Sequence, residues 1–515
     1  MKGGLRASMS WLHTWTGLVC GWLVFAIFAT GTASVFRHEI EAWARPTLSA
    51  HVDPAAALQR AYDHVRQVAP DATSIVATAP TPQERDMQSY WLTPKGGFTL
   101  AELDPATGAE VQGPKTAGGE LFYRFHFELM APFPYGRLAA CLAAVFFVNA
   151  VISGVITHKR IFSDFFTFRP EKGGQRAWLD GHNVLGVLAL PFHLFIALTG
   201  IVTLATTFMP FGMTAGYGKD LPAFYADVAP ETKNLPQLTG RAAQMAPLAP
   251  MIAQAQQRLG GEVLRLTVNN PGDAAARVIL HRDNSGRLSR PTQAATFDGA
   301  TGQLLSVTPA PGPAMAVNDL FYGLHMGEFS SAALRWLYFL GGLSGCGLIA
   351  SGLVLWTVSR RRKLPDPARP DFGFRLVEVL NVGAVMGMVL AIASFFWTSR
   401  LLPAELGADR PIWEGRVFLA MIAATILYSA LRPQRRAWTE TAWAAAFLFA
   451  GAPIVSALTG GRSLLRSIAE GDGAMITLDL VLLTLAAGFV FMARRAAREP
   501  ARAPKRRAAP APAKG

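Results

Sequence analysis

Cysteine is nearly missing from this chain, with three in 515 residues. Cys20, Cys141 and Cys346 sit inside apolar runs, and no CxxC or CxxCH occurs. That pattern excludes a disulfide framework and covalently attached c-type haem, and leaves three buried, inert thiols. Charge is scarce as well. Asp, Glu, Lys and Arg make up 16% of the residues, too few for an ordinary soluble protein of this size. No GxGxxG precedes a helical stretch, so the chain shows no flavin or nicotinamide site of its own. Histidine ends early: all ten lie at or before His325. Whatever they do, the last third of the chain does not share it directly.

What the chain has is apolar length, since 51% of it is hydrophobic. Eight runs are long enough to span a bilayer, which takes roughly 20 residues at about 1.5 Å rise. They lie near Trp11–Phe36, Leu138–His158, Gly181–Phe208, Leu334–Val358, Leu376–Trp397, Val417–Leu431, Trp438–Leu458 and Ile476–Ala493. The first is too long for a signal-peptide core and ends in "FRHE", so it reads as a retained anchor. The formal charge of +13 follows topology rather than nucleic-acid binding. Lys2 and Arg6, the segment His158–Arg176, Ser359–Lys363 and the tail from Arg494 all fall on one side, which the positive-inside rule makes the cytoplasm.

The fold expected is therefore a polytopic α-helical membrane protein of about eight transmembrane helices with two small α+β domains outside. Residues 1–36 hold the first helix and 37–137 the first outside domain. Residues 138–208 hold helices two and three, 209–333 the second outside domain, and 334–363 the fourth helix. A four-helix module follows at 364–498, then a disordered basic tail at 499–515. In each outside segment a helical pattern, such as "DPAAALQRAYDHVRQVAP" after an Asp cap, precedes strands and an Asp-x-x-Thr-Gly turn.

These parallels are an internal repeat. His13, Gly17 and Gly31 recur as His182, Gly186 and Gly200 at one offset, since 182 − 13 = 186 − 17 = 200 − 31 = 169. Thr30–Gly31 matches Thr199–Gly200, and Ser153–Gly154 matches Ser351–Gly352. "LFYRFHFE" at Leu121 matches "LFYGLHMGE" at Leu320, which aligns His126 with His325. The unit is helix, outside domain, Leu-Phe-Tyr-x-x-His, helix. Two units in one orientation imply a pseudo-twofold axis along the membrane normal.

Ionisable groups in membrane helices are costly and functional by default. His182 and His193, eleven residues apart on a continuous helix, would share a face about 16 Å apart along its axis. Gly17 and Gly186, one turn from His13 and His182, would let a flat macrocycle lie against the backbone. Inward imidazoles at two depths are how a helical bundle holds two b-type haems. Zinc or copper would also use imidazole, but no Cys or carboxylate cluster accompanies these histidines. By depth the pairs are His13 with His182 near the cytoplasmic face and His126 with His325 near the outer face. His193 is the rival outer ligand and His158 the rival inner one. His38, His51, His64 and His281 read as plain surface residues.

The stretches "LHTWTGLVCGW", "DPATG", "YRFHFE", "ISGVITHKRIFSDFFTFRP", "WLDGHNVLGVLALPFHLFIALTG" and "LFYGLHMGEF" resemble the PepSY-associated transmembrane family over about Trp11–Arg362. The resemblance implies outward PepSY domains, haem among the membrane helices and, in some members, reduction of ferric siderophores in the bacterial periplasm. It carries haem ligation to the helical His-x-x-x-Gly positions and to His126 and His325. Many members end after four spans, so the last four helices depart from the pattern. The expected function is an inner-membrane protein with about two haem b groups, N- and C-termini cytoplasmic. Electrons would come from a cytoplasmic donor or quinol and reach a periplasmic acceptor such as a ferric siderophore. Tyr123, Arg124 and Tyr322 are candidates for the outer haem's surroundings. The rival readings are a non-enzymatic module that binds a periplasmic partner, with the histidines as packing, and a metal permease.

Overall fold

The computed structural model describes residues 4–45, 52–81, 87–158, 174–233, 235–284, 286–289, 291–329, 331–461 and 463–498. His51, most of the basic segment after His158 and the tail from 499 lie outside the described residues. In chain order the principal helices are α1 (Leu5–Ser34), α2 (Arg37–Ala44), α3 (Pro54–Val68), α4 (Glu120–Glu128), α5 (Tyr135–Thr157), α6 (Gly174–Leu188) and α7 (Leu190–Thr203). They continue as α8 (Leu248–Leu259), α9 (Pro313–Met326), α10 (Ala332–Arg361), α11 (Phe372–Leu401), α12 (Arg410–Leu431), α13 (Gln434–Leu458) and α14 (Gly473–Ala497).

Seven of these are long and apolar enough to cross a membrane: α1, α5, α10, α11, α12 with the 3₁₀ turn before it, α13 and α14. The eighth apolar run is not one helix. It breaks into α6 and α7, bent by 65°. Pro191 causes the break, because it sits in the first turn of α7, where a missing N–H costs nothing, but it cannot continue α6. His182 and His193 thus sit on two differently directed helices, and the single-face geometry expected of them does not hold.

α1, α5, α7, α6 and α10 close a ring in which α1 touches α5 and α10, α5 touches α7, and α6 touches α10. The last four helices form a second bundle, centred on α11. Its apolar window is 78% buried, against 28–39% for the other six spans, so protein rather than lipid surrounds it. α11 docks on α1 and α10. Trp22 Nε1 donates to Asn381 Oδ1 (2.8 Å), and Asn381 Nδ2 donates to the Leu353 carbonyl (3.0 Å).

The two segments expected to fold as separate domains share one antiparallel sheet. Its strands are β1 (Ser74–Thr78), β2 (Met87–Leu92), β3 (Phe98–Leu103), β4 (Val263–Asn269), β5 (Arg277–Arg282), β6 (Ala294–Asp298) and β7 (Leu304–Val307), in the order β3-β2-β1-β4-β5-β6-β7. β1 and β4, each the first strand after its own helix, join the halves from Ser74↔Asn269 to Thr78↔Arg265. Antiparallel pairing of equivalent strands is what a twofold axis through the sheet produces. Period-2 alternation sends Ile75, Ala77, Leu266 and Val268 to one face, where α3 and α8 cover them with Leu58, Val65, Met251 and Ile252. α3 starts where Asp53 accepts the Ala56 N–H (2.9 Å), with Pro54 next. The two Asp-x-x-Thr-Gly turns are alike. Asp104 Oδ1 accepts from the Ala106 and Thr107 N–H groups, Asp298 Oδ1 from those of Ala300 and Thr301. Gly108 and Gly302 follow at φ +75° and +74°, a conformation that favours glycine. Since β1 lies between β2 and β4, Val76→Pro should cost about 2–3 kcal/mol, read as a lowered melting temperature in detergent.

Candidate cofactor site

Four histidines make the same contact. The imidazole Nδ1 of His13 lies 2.8 Å from the Ala150 carbonyl of α5, and that of His126 2.8 Å from Ile27 of α1. His182 Nδ1 lies 3.0 Å from the Leu348 carbonyl of α10, and His325 Nδ1 3.1 Å from Ile196 of α7. A carbonyl only accepts, so Nδ1 carries the proton and the lone pair is on Nε2. A ligating imidazole uses this tautomer, with the second nitrogen tied to fix the ring.

Sequence reasoning noticed the Ser/Thr-Gly pairs in these helices without seeing their use. Each acceptor carbonyl stands three residues before a Ser or Thr and four before a Gly: Ile27–Thr30–Gly31, Ala150–Ser153–Gly154, Ile196–Thr199–Gly200 and Leu348–Ser351–Gly352. A Cβ on these glycines would come within 2.7 Å of His126, 3.0 Å of His13, 2.8 Å of His325 and 3.0 Å of His182 respectively. The glycine therefore clears the ring's path to the carbonyl one turn earlier. The hydroxyls are tied back to their own helices, and two of their oxygens also stand beside a ring nitrogen, Thr199 Oγ1 3.1 Å from His325 Nδ1 and Ser351 Oγ 3.3 Å from His182 Nδ1. Thr199 Oγ1 donates to the Phe195 carbonyl (2.8 Å) and Ser351 Oγ to Leu348 (2.9 Å). The signal that could have found this is the recurrence of Ser/Thr-Gly on each of four helices, at Thr30, Ser153, Thr199 and Ser351.

The structure brings the rings together in twos. His13 and His182 stand 6.1 Å apart between centroids, with planes at 68°. His126 and His325 stand 5.9 Å apart, with planes at 25°. The second pair lines a cavity of about 920 Å³ that runs from Phe28, Phe147 and Phe192 among the helices up to the sheet. Its lining includes neither His13 nor His182. A Cβ at Gly17, one turn from His13, would meet nothing within 4 Å, whereas one at Gly186 would meet Leu348 at 3.3 Å.

His193 stands apart from both pairs. It is fully buried, its ring about equally far from Phe28 (6.2 Å), Phe147 (6.2 Å) and Phe192 (6.1 Å). Neither nitrogen has a hydrogen-bond partner of ordinary geometry, though the Gly341 backbone is near enough to interact. His158 ends α5, its N–H bonded to the Gly154 carbonyl (3.2 Å), within electrostatic reach of His13 and His182.

Two histidines read as surface residues belong to the cavity wall. His281 is buried on β5, and its imidazole is pushed down to about 3 by burial and the Arg265 guanidinium, so it is neutral. His38, on α2, accepts from Arg37 Nε (3.2 Å) and is likewise pushed down to about 3, by burial first and then by Arg37 and Arg335. Periodicity missed both because they face an internal space, not a core. His64 is half-buried, 3.7 Å from Glu110. Tyr123 and Tyr322 line the cavity, whereas Arg124 is exposed and paired with Glu128 (3.1 Å).

A ring of spans carrying paired, carbonyl-tethered histidines beneath a two-part sheet defines a multi-pass membrane protein with a candidate cofactor site in its helices. The chain belongs to the PepSY-associated TM family, whose described region matches residues 10–359. It is also similar to an uncharacterized protein of Pseudomonas aeruginosa, 31% identical over 337 residues that cover 61% of this chain and 80% of the relative. The helices α11–α14 lie beyond the family match.

Proposed function

We propose that this is an inner-membrane b-type haem protein that passes electrons across the bilayer to a periplasmic ferric chelate, a siderophore complex by the family resemblance. The supporting observation is the two tethered histidine pairs. Two imidazoles on one metal, at about 2.0 Å per metal–nitrogen bond and roughly 1.2 Å from nitrogen to ring centre, place ring centres about 6.4 Å apart. The observed 6.1 and 5.9 Å fit that spacing. Open space beside Gly17 and the cavity beside His126 and His325 leave room for a flat group.

His13 and His182 would hold one haem and His126 and His325 the other. A haem so held supplies one-electron exchange between ferric and ferrous iron. The chain's own residues do the rest. The backbone carbonyls on Nδ1 orient the rings and raise their basicity. Burial in an apolar ring of helices keeps water away. Arg360–Lys363, Arg432, Arg435, Arg436, Arg494 and Arg495 gather at the ends opposite the sheet, which supports a cytoplasmic assignment for those ends and a periplasmic one for the sheet. The electron donor would be a cytoplasmic reductant or quinol. A metal permease has less support, because among the described residues no three His, Cys, Asp or Glu side chains group as a metal site.

The test is a visible spectrum of the detergent-purified protein with haem quantified per chain. About two haems, with a Soret band that shifts on dithionite, is the expected result. A colourless protein from haem-replete cells would favour instead a module that binds a periplasmic partner.

A further inference from the structure

The cavity above His126 and His325 has a roof, and the roof is basic. Arg265 of β4 and His281 of β5, on the face turned away from α3 and α8, look down into it. Arg265 and His281 are opposite each other in register, with Arg265 Nη2 3.3 Å from both ring nitrogens of His281. Arg282, opposite Val263 in register, lines the cavity's edge, and its guanidinium turns toward the end of α8, donating to the Leu259 carbonyl (3.0 Å) and to Asn284 Oδ1 (3.2 Å), while its buried Nε has no partner. Two more guanidiniums, Arg37 and Arg335, stand at the helix ends below.

The four are not equivalent. Arg37 pairs with Glu328 (3.0 Å) and Arg335 with Glu39 (2.7 Å), so the floor is neutralised. Among the described residues neither Arg265 nor Arg282 forms an ion pair. Glu231 is within electrostatic reach of Arg265, and Asp283 and Arg287 of Arg282. Arg265 is exposed, with its guanidinium over the His281 ring.

We infer that this roof is the docking site for the electron acceptor, and that the acceptor is a net-anionic ferric chelate with carboxylate arms. Guanidinium forks match carboxylates in two-point contacts. Reduction adds one electron to the iron, forms and breaks no bond, and makes the bound chelate one unit more negative. Guanidiniums outside ion pairs favour that product over the starting complex. The inference deepens the electron-transfer reading by naming the class of acceptor, and the electron would come from the haem-bearing helices below.

Binding can be measured without relying on electron transfer. The probe is ferric citrate, followed by equilibrium dialysis against the full-length protein in detergent, with ferrioxamine B, a cationic chelate, for comparison. Arg265→Gln should weaken ferric citrate binding about tenfold. Arg258→Gln, at the exposed end of α8 on the far face of the sheet, should leave it unchanged. Added salt should weaken it as well. Arg265 is exposed, so the variant should fold, and an unchanged melting temperature verifies that. Equal binding of the two chelates, or no effect of Arg265→Gln, overturns the proposal. A colourless protein that still binds ferric citrate through Arg265 keeps this site and removes the electron-transfer reading, so the two failures are distinguishable.

Discussion

His325→Ala should halve the haem content of the purified protein, from about two per chain to about one, and Gly200→Val should do nearly the same without touching the ligand. The reasoning is geometric. His325 holds its lone pair on Nε2 while Nδ1 donates to the Ile196 carbonyl or the Thr199 hydroxyl oxygen, each 3.1 Å away. A Cβ at position 200 comes within 2.8 Å of the ring, and a branched side chain occupies the space the ring needs. The imidazole must then leave its carbonyl. Gly31→Val should act in the same way through His126. His193→Phe is the control. With phenyl rings around it and no histidine facing it, His193 should be replaceable with both haems retained. Haem extraction and difference spectra give the counts. Two haems in Gly200→Val, or one in His193→Phe, would reassign the outer ligands.

The second large effect lies outside the family region. Arg410 and Glu414 are almost fully buried at the sheet end of α12, 2.9 Å apart. Arg410 donates to the carbonyls of Lys115 (2.7 Å), Ser399 (2.8 Å) and Leu402 (3.2 Å). Glu414 Oε2 accepts from Thr116 Oγ1 (3.0 Å) and the Ala117 N–H (2.6 Å). Glu414→Ala leaves a buried guanidinium uncompensated and should cost about 3–5 kcal/mol. Arg410→Met with Glu414→Leu, which removes both charges, should recover much of that. Thermal unfolding in detergent reads both. The segment so held leads straight into α4, whose Phe122 meets Phe395 at 5.0 Å and whose Phe125 meets Phe418 at 5.3 Å. α4 carries His126. The C-terminal bundle thus braces one outer histidine, while α9, which carries His325, buries only Asp319 and Gly323.

Much of this was written where a reader of the sequence could find it. The spans follow from apolar length, the pairing of His13 with His182 from one constant offset, and that of His126 with His325 from a repeated Leu-Phe-Tyr-x-x-His motif, because all are local or periodic signals. The break at Pro191 was in plain view, yet the apolar run continues through it, and hydropathy does not register direction. The union of β1 with β4 joins Ser74 to Asn269, and nothing local to either strand announces a partner nearly two hundred residues away. His281 and His38 were misread because alternation tells which face a residue takes, not whether that face meets solvent or an enclosed space. Glu414 was invisible for a simpler reason: one carboxylate in an apolar helix has no pattern around it.

The shared sheet also bears on what can move. Carriers that alternate access rock one repeat against the other around a central site. Here β1 and β4, the first strands of the two outside segments, are hydrogen-bonded edge to edge, so one side of the molecule is fastened shut between them. Rocking the halves would tear that ladder. Such a ladder accords with the proposed passage of electrons, a cargo that needs no gate.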